Sequence, residues 1–356
     1  MRRRTLPAYL RRRVGTQLLA LLAILTAMQQ LLELLDVTTD ILERELGWRG
    51  LLYYAFLRTP AELVLALPLA ALLGTMTALY PMARNLEITA LRASGVSLAR
   101  LGAHLLPLAL AVGLAQFALA QLALPWTETT LKQWWSATAP PPTEEPAPLW
   151  ANTSSGPVSI DGASPDGRVL RGVRVYRRDA NGLVTARLQA ASARWDGRRW
   201  ELSEVAELKI ESGRVERTHS ATREWQTNLR PEEVLRLDVA RPYLSSMMLV
   251  DVIAGSRVGV QPLSYYRTAL YRSFLSPLGV VVMVLLALPV ASLLPRAGRT
   301  GSQLPIALVL GLAYLLGDGL AAALGSSGRL PPLAMALAAP LSFTLIGLLR
   351  LRACDR

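Results

Sequence analysis

Residues 82–101 read MARNLEITALRASGVSLARL, a short charged stretch between two long apolar runs. The runs cover residues 60–81 and 102–124, and each is long enough to cross a bilayer as a helix. Arginines beside such spans favour the cytoplasmic side, so the stretch predicts a helix at a cytoplasmic membrane face that ends near Gly95. A helix with its charges outward suits docking to a soluble partner, although an ordinary amphipathic connector fits the composition equally well.

The apolar residues of the 356-residue chain are concentrated in three regions, residues 14–35, 60–124 and 274–349. Residues 126–268 are polar by comparison and hold 19 Lys and Arg against 17 Asp and Glu, so this insert is close to neutral. The net charge of +12 therefore lies at the ends of the apolar runs, which indicates membrane topology and no nucleic-acid partner. The single cysteine, Cys354, excludes a disulfide within the chain.

Six apolar segments are long enough to span a bilayer, and the first follows an arginine-rich N-terminus without a small-residue cleavage site. The predicted spans are residues 14–35, 60–81, 102–124, 266–294, 303–324 and 332–349. With the N-terminus inside, the four cytoplasmic segments contain 6, 3, 2 and 3 arginines, whereas the two short outer loops contain 3 and 1. This bias predicts six spans with both termini in the cytoplasm.

The insert becomes β-like after a proline-rich linker, Ala139–Pro148, whose composition favours extended structure. Its next segments alternate polar and apolar side chains and are separated by turn signals at Asp179–Gly182 and Asp196–Gly197. The predicted strands cover residues 169–177, 183–195 and 200–208. This pattern is typical of an all-β sandwich or open roll.

The sequence lacks the motifs of an enzyme. No P-loop motif is present, and the lysines are limited to Lys132 and Lys209, so we expect no ATP site in this chain. Two histidines and one cysteine, far apart in the sequence, form no recognisable metal-binding pattern. We therefore expect no catalytic residues, metal or cofactor in this chain.

Ionisable residues within the predicted spans are candidates for function because burying their charge in a membrane is costly. The candidates are Glu33, Glu62, Arg267, Arg272 and Asp318. For Glu33, Glu62 and Arg267, a position at the level of the lipid headgroups is an equally good interpretation. Asp318 lies deeper in its span, which favours a role inside the helix bundle.

Three motifs resemble those of the lipopolysaccharide-export permease family, LptF/LptG, and the resemblance covers nearly the whole chain. RNLEITALRASGVS at residues 84–97 is similar to the family's coupling-helix motif, with its acid at Glu87 and its glycine at Gly95. PLAALLG at residues 68–74 resembles the second-span signature, and LGD at residues 316–318 followed by LPP at residues 330–332 resembles the end of the fifth span. The β segments GVRVY, AASA and WELS, which begin at residues 172, 190 and 200, are closer to the LptG branch than to the LptF branch.

The resemblance implies a six-helix membrane protein of the bacterial inner membrane, with a periplasmic, open jelly-roll-like β domain between helices 3 and 4. The implied regions are residues 1–125 with coupling helix 82–101, residues 126–265 with the β domain and linker, and residues 266–356. The resemblance also implies that the chain is part of an ABC transporter. This transporter would extract lipopolysaccharide from the lipid of the inner membrane and pass it to a periplasmic bridge. The implied partners are an LptF-like second permease, two LptB-like ATPases that bind ATP and Mg, and an LptC-like bitopic protein.

By the same resemblance, the ATPase-coupling residues are Arg84, Glu87, Arg92 and Gly95. From the residues themselves, the candidate lipid-binding residues are Glu33, Asp36, Arg267, Arg272, Asp318, Val175, Leu188 and Leu202. The last three would line a groove for acyl chains. LptG-type first spans tend to place basic residues near their outer end, but this chain has Glu33, Asp36 and Asp40 there. These acids either pair with Arg267 and Arg272, which we favour, or bind a divalent cation that bridges to lipid phosphates.

Two other classes of function are open at this point. A secondary transporter should contain an inverted repeat, and none is visible between residues 14–125 and 266–350. A membrane-anchored β module that scaffolds other envelope proteins is the second class, although six spans are excessive for an anchor.

Overall fold

A computed structural model of the chain describes residues 5–138, 148–153, 155–164, 166–178, 183–211, 214–234, 244–256, 259, 261–292 and 303–355. The internal contacts divide the chain into two units. The helical unit comprises residues 1–138 and 267–356, and the β unit comprises residues 139–266. The proline-rich linker 139–147 and the turn 179–182 lie outside the described residues.

The helical unit is built from long apolar helices joined by short connections. The helices are α1 (Thr5–Glu43), α2 (Gly47–Arg84), α3 (Glu87–Ala93), α4 (Leu98–Ala118), α5 (Leu124–Ala137), α8 (Leu263–Ala287), α9 (Gln303–Ser326) and α10 (Pro332–Asp355). A π-helical turn, Leu119–Ala123, joins α4 to α5, and a 3-10 turn, Leu288–Ser292, follows α8. Six helical segments of the described chain are long and apolar enough to cross a membrane, as predicted.

The helices extend further than the predicted spans. α1 covers 39 residues and α2 covers 38, which at 1.5 Å per residue is about 57 Å, well beyond a hydrocarbon core of about 30 Å. The third span also continues as a helix to Ala137, so the helical unit ends at Thr138 and not at the predicted residue 125. Pro125 is the second residue of α5, just after the π-helical turn Leu119–Ala123, and the helix continues through it.

The β unit contains one antiparallel sheet in which each described strand pairs with the next along the chain. The strands are β1 (Leu149–Thr153), β2 (Gly156–Ala163), β3 (Val169–Arg178), β4 (Val184–Trp195), β5 (Trp200–Glu211) and β6 (Arg214–Trp225). After the sheet, the chain forms two short helices, α6 (Pro231–Val234) and α7 (Ser246–Ile253). Together with the six spans, this sheet between the third and fourth spans confirms the predicted fold class.

The sheet curls onto its own apolar face. The indole Nε1 of Trp225, at the end of β6, donates to Ser155 Oγ in the β1–β2 turn at 2.9 Å. The indole Nε1 of Trp200 donates to the carbonyl of Leu229 at 2.9 Å. The enclosed face carries a buried apolar core that includes Val158, Ile160, Leu170, Val173, Trp200 and Leu202. The β unit is therefore an open roll around its own core.

Candidate functional site

The predicted coupling stretch 82–101 is shorter as an independent helix than the sequence suggests. Met82–Arg84 belongs to α2, and α3 begins only after Leu86, whose φ of +60° breaks the helix. α3 ends at Ala93, and Gly95 stops the helix two residues later, since its φ is +87° and its N–H donates to the carbonyl of Arg92 at 2.9 Å. The N–H of Val96 donates to the carbonyl of Leu91 at 3.0 Å, which completes a Schellman motif. The prediction that Gly95 ends the helix is confirmed.

Glu87 lies in the first turn of α3 and is held by α1. Its carboxylate accepts hydrogen bonds from the Tyr9 hydroxyl and from Arg13 Nη1, each at 3.3 Å. The Glu87 side chain keeps 36% of its surface exposed, and the Arg13 side chain keeps 29%. The predicted coupling acid thus joins the short helix to the first span while its carboxylate stays accessible from solution.

The other predicted coupling residues have different surroundings. Arg84, at the last turn of α2, is exposed. Arg92, at the last turn of α3, donates from Nη2 to the carbonyl of Cys354 on α10 at 3.2 Å. α3 is therefore connected to α1 at its first turn and to α10 at its last turn.

At the opposite end of the spans, the structure corrects the predicted pairing of Glu33. Its carboxylate accepts a hydrogen bond from the Tyr54 hydroxyl at 2.8 Å and lies 3.0 Å from Nε of Arg58. Arg58 Nη1 also donates to Glu128 Oε1 of α5 at 3.0 Å. The partner of Glu33 is thus Arg58, not Arg272, because the short connection after α1 places α2 antiparallel beside it.

The other predicted outer residues are less enclosed. Asp36 and Asp40 follow Glu33 by three and seven residues on the continuous helix α1, which places the three acids on one side of the helix, and both aspartates are exposed. Arg267, near the start of α8, is exposed as well. Glu62 on α2 is only 6% exposed. This exposed fraction is lower than expected for a side chain at the level of the lipid headgroups.

Aromatic side chains pack around the charged cluster of Glu33, Arg58 and Glu128, which we call the Arg58 cluster. Tyr54 contacts the ring of Trp135, and Arg44 lies over that ring at 3.9 Å from its centroid. Arg44 also donates to the carbonyl of Trp135 at 2.7 Å. Arg58 was not among the predicted site residues, although its charge just before a predicted span was a usable signal.

Arg272 and Asp318 are brought together by the fourth and fifth spans. Arg272 on α8 donates from Nη2 to the carboxylate of Asp318 on α9, and their side chains are 38% and 23% exposed. The next residue of α8, Ser273, accepts from Gln121 of the π-helical turn at 2.6 Å. Polar pairs are rare within membrane spans and tend to mark functional interiors. The two residues selected for this region therefore form one ion pair.

Val175, Leu188 and Leu202 share the apolar face of the β unit, as predicted. Val175 and Leu188 are direct cross-strand partners on β3 and β4. Their exposed fractions are only 2%, 6% and 0%, so this face is filled by the unit's own core. An acyl chain can reach these residues only where the roll opens.

One charged cluster lies on the same face and was not predicted. Glu207 is 7% exposed and accepts from Arg223 Nη1 at 2.6 Å, while Arg177 Nη1 lies 3.7 Å away. The hydrogen bond from Arg223 lowers the pKa of Glu207, against the opposing effect of burial. Glu204, with φ of +53°, shifts the alternation of β5, so Val205 and Glu207 point inward.

Comparison with known proteins shows similarity to one family along nearly the whole chain. Residues 8–353 match the family described as lipopolysaccharide export system permease LptF/LptG. The chain is 22% identical over 348 residues to lipopolysaccharide export system permease protein LptG of Escherichia coli strain K12, which covers 96% of each chain. It is also 22% identical over 280 residues to the Haemophilus influenzae protein of the same description, which covers 75% of each chain.

Proposed function

We propose that this chain, which belongs to the lipopolysaccharide export system permease LptF/LptG family, is a membrane subunit of an ABC transporter. In this proposal it extracts lipopolysaccharide from the bacterial inner membrane and passes it to a periplasmic bridge towards the outer membrane. A second, LptF-like permease completes the membrane part. Two LptB-like subunits bind ATP and Mg and hydrolyse ATP, and an LptC-like bitopic protein receives the lipid.

The observation that carries the proposal is α3, a seven-residue helix between the second and third spans. Its boundaries are fixed at Leu86 and Gly95, and it presents Glu87 in its first turn. Ile88 is 2% exposed and belongs to the same buried cluster as residues of both adjacent spans. A force applied to α3 would therefore be transmitted to α2 and α4 through packed side chains.

The lipid path is proposed from two sets of residues. Arg267 and the Arg272–Asp318 pair lie on α8 and α9, where an exposed guanidinium can contact a lipid phosphate. Glu33 and Asp36 lie at the end of α1 opposite to α3 and would face the same headgroup. Acyl chains would then use the apolar face of the β unit, because each CH₂ exposed to water costs about 0.8 kcal/mol.

Substitution of Glu87 tests the ATPase-coupling part of the proposal. We expect Glu87→Ala to lose ATPase association or ATP-dependent lipid release from proteoliposomes, while membrane insertion is unchanged. Glu43→Ala, an exposed acid at the other end of α1, is the matched control and should behave like wild type. Normal lipid release by Glu87→Ala would remove Glu87 from the coupling site.

Photo-crosslinking tests the lipid path. A photoreactive residue at Val175, Leu188 or Leu202 should capture lipopolysaccharide only when ATP is present, because this face must open. The matched control is Gln189, the exposed neighbour of Leu188 on the opposite sheet face. Capture at Gln189 alone would assign the lipid to the other face of the sheet.

A further inference from the structure

The last turn of α10 is hydrogen-bonded to both sides of the Gly95 joint. Before the joint, Arg92 donates to the carbonyl of Cys354 at 3.2 Å. After the joint, the backbone N–H of Leu98 donates to Asp355 Oδ1 at 2.8 Å, and that of Ala99 donates to Asp355 Oδ2 at 3.1 Å. We call these three contacts the α10 latch.

The latch completes the N-terminus of α4. A helix begins with four N–H groups that have no partner within the helix. Leu98 and Ala99 donate to Asp355, and Arg100 donates to Ser97 Oγ at 3.2 Å, whereas the first bond within the helix runs from Leu101 to the carbonyl of Ser97 at 3.0 Å. Two of the first three N–H groups of α4 therefore depend on the carboxylate of Asp355.

Each charge of the latch suits a helix end that is not its own. A carboxylate at the C-terminus of a helix is unfavourable for that helix, but Asp355 binds the positive N-terminal end of α4. Arg92 in turn supplies a donor to a carbonyl in the last turn of α10, which has no partner within the helix. Arg92 also suits the C-terminal turn of its own helix, α3, so only Asp355 is placed for contact between segments and against the preference of its own helix.

Apolar packing supports the same junction. Ile88, Leu98 and Leu351 are 2%, 1% and 5% exposed and belong to one buried cluster. Cys354 packs against that cluster with part of its surface exposed. The polar contacts of the latch thus lie at the edge of a close-packed core, which holds their geometry.

We propose that the α10 latch locks the Gly95 joint, so that α3, α4 and α10 move as one body when the ATPase presses on α3. Asp355 is then a positioning residue for coupling, which acts through the backbone of α4. This role rests on the proposed function, in which α3 is the docking site of the ATPase. Without the latch, glycine at φ +87° would leave a flexible connection between the pressed helix and the spans.

Hydrogen exchange on the full chain in lipid nanodiscs tests the lock without any ATPase. In Asp355→Ala, we expect the amides of residues 98–101 to exchange roughly five- to tenfold faster, as for the loss of a helix cap. Asp355→Asn keeps one acceptor oxygen and should fall between Asp355→Ala and wild type. Arg352→Ala, an exposed residue of the same turn, is the matched control and should exchange like wild type.

The coupling role needs a second measurement, the ratio of lipid released to ATP hydrolysed by the complete transporter. We expect this ratio to fall several-fold in Asp355→Ala, to recover in Asp355→Glu, and to stay at the wild-type value in Arg352→Ala. Where Asp355→Ala gives no folded protein, Arg92→Met replaces it, since this change removes the donor to the Cys354 carbonyl on the other side of the latch.

Three results would overturn the proposal. Unchanged exchange in residues 98–101 would show that the latch does not lock the joint. Faster exchange with an unchanged ratio of lipid to ATP would make Asp355 a structural residue only. A wild-type chain that recruits no ATPase would overturn the proposed function and the coupling role with it, and the exchange data would still report the lock separately.

Discussion

The two units of the chain differ in the residues that their surfaces expose. In the helical unit, Leu19 and Leu316 are 64% and 70% exposed, while Glu62 and Gln116 are each 6% exposed. In the β unit, Val158 and Trp200 are fully buried, and most described residues of β6 are exposed. Both units have a buried apolar core, but the helical unit also carries many large apolar side chains on its surface.

The difference shows that the two units are stabilised by different forces. Water drives the burial of apolar side chains in the β unit. In a bilayer the surrounding lipid is as apolar as leucine, so helices associate through close packing and polar contacts. Substitutions of the same chemical kind should therefore have different effects in the two units, and the following predictions test this difference.

The largest effect is expected for the buried tryptophan of the β unit. Trp200→Ala should destabilise this unit by about 3–5 kcal/mol, because it leaves a cavity and removes the hydrogen bond to Leu229. The measurement is hydrogen exchange of strands β4 to β6 in the full chain. Trp150→Ala is the control, since Trp150 is 49% exposed and should cost far less. Equal costs at the two sites would contradict a core-stabilised β unit.

The next effect is expected for the charged cluster of the helical unit. Arg58→Met should destabilise the contact of α1 with α2 and α5 by about 1–3 kcal/mol, because Glu33 and the buried Glu128 lose their partner. Thermal unfolding in lipid nanodiscs measures the loss. Arg49→Ala, an exposed arginine near the same end of α2, is the control.

The loss of stability in Arg58→Met can come from unpaired carboxylates or from lost packing of the arginine stem, and neutralising the two acids separates these explanations. Adding Glu33→Gln and Glu128→Gln to Arg58→Met should regain most of the stability, since no buried charge is then unpaired. A triple variant that is no more stable than Arg58→Met would show that Arg58 acts through packing of its aliphatic stem.

Features that depend on local sequence were predicted correctly, whereas contacts between distant segments were not. Span number, strand positions and the end of α3 at Gly95 depend on local length, alternation and backbone preference, and the structure confirms them. The partner of Glu33 depends on which helix packs beside α1, so Arg58 was missed. The inward position of Glu207 depends on the conformation of Glu204, and the cap by Asp355 joins residues that are 257 positions apart.

A smaller effect on the stability of the β unit is expected when the pH is lowered. The pKa of Glu207 is lowered from 4.5 in the folded state, so its ionised form stabilises the fold above pH 4.5 and this contribution is lost as the pH falls through the folded pKa. The loss should be on the order of 1 kcal/mol, as for a hydrogen bond to a charged group. Unfolding of the β unit within the full chain, followed from pH 7 to below pH 4, measures it.

A substitution assigns this acid effect to one residue. Glu207→Gln should flatten the pH dependence of the β unit below pH 4.5, whereas Glu201→Gln, on the exposed face of β5, should leave it unchanged. An identical acid transition in Glu207→Gln would assign the effect to other carboxylates.

The smallest effect is expected for an exposed leucine of the helical unit. Leu316→Ala should change stability by less than about 0.5 kcal/mol in lipid nanodiscs, because its side chain exchanges one apolar contact for another. Leu79→Ala, fully buried in the same unit, should cost about 2–5 kcal/mol in the same thermal assay. If Leu316→Ala costs as much as Leu79→Ala only when a second permease is present, this face of α9 packs against that permease and not against lipid. The contrast between the units would then hold for the single chain but not for the assembled transporter.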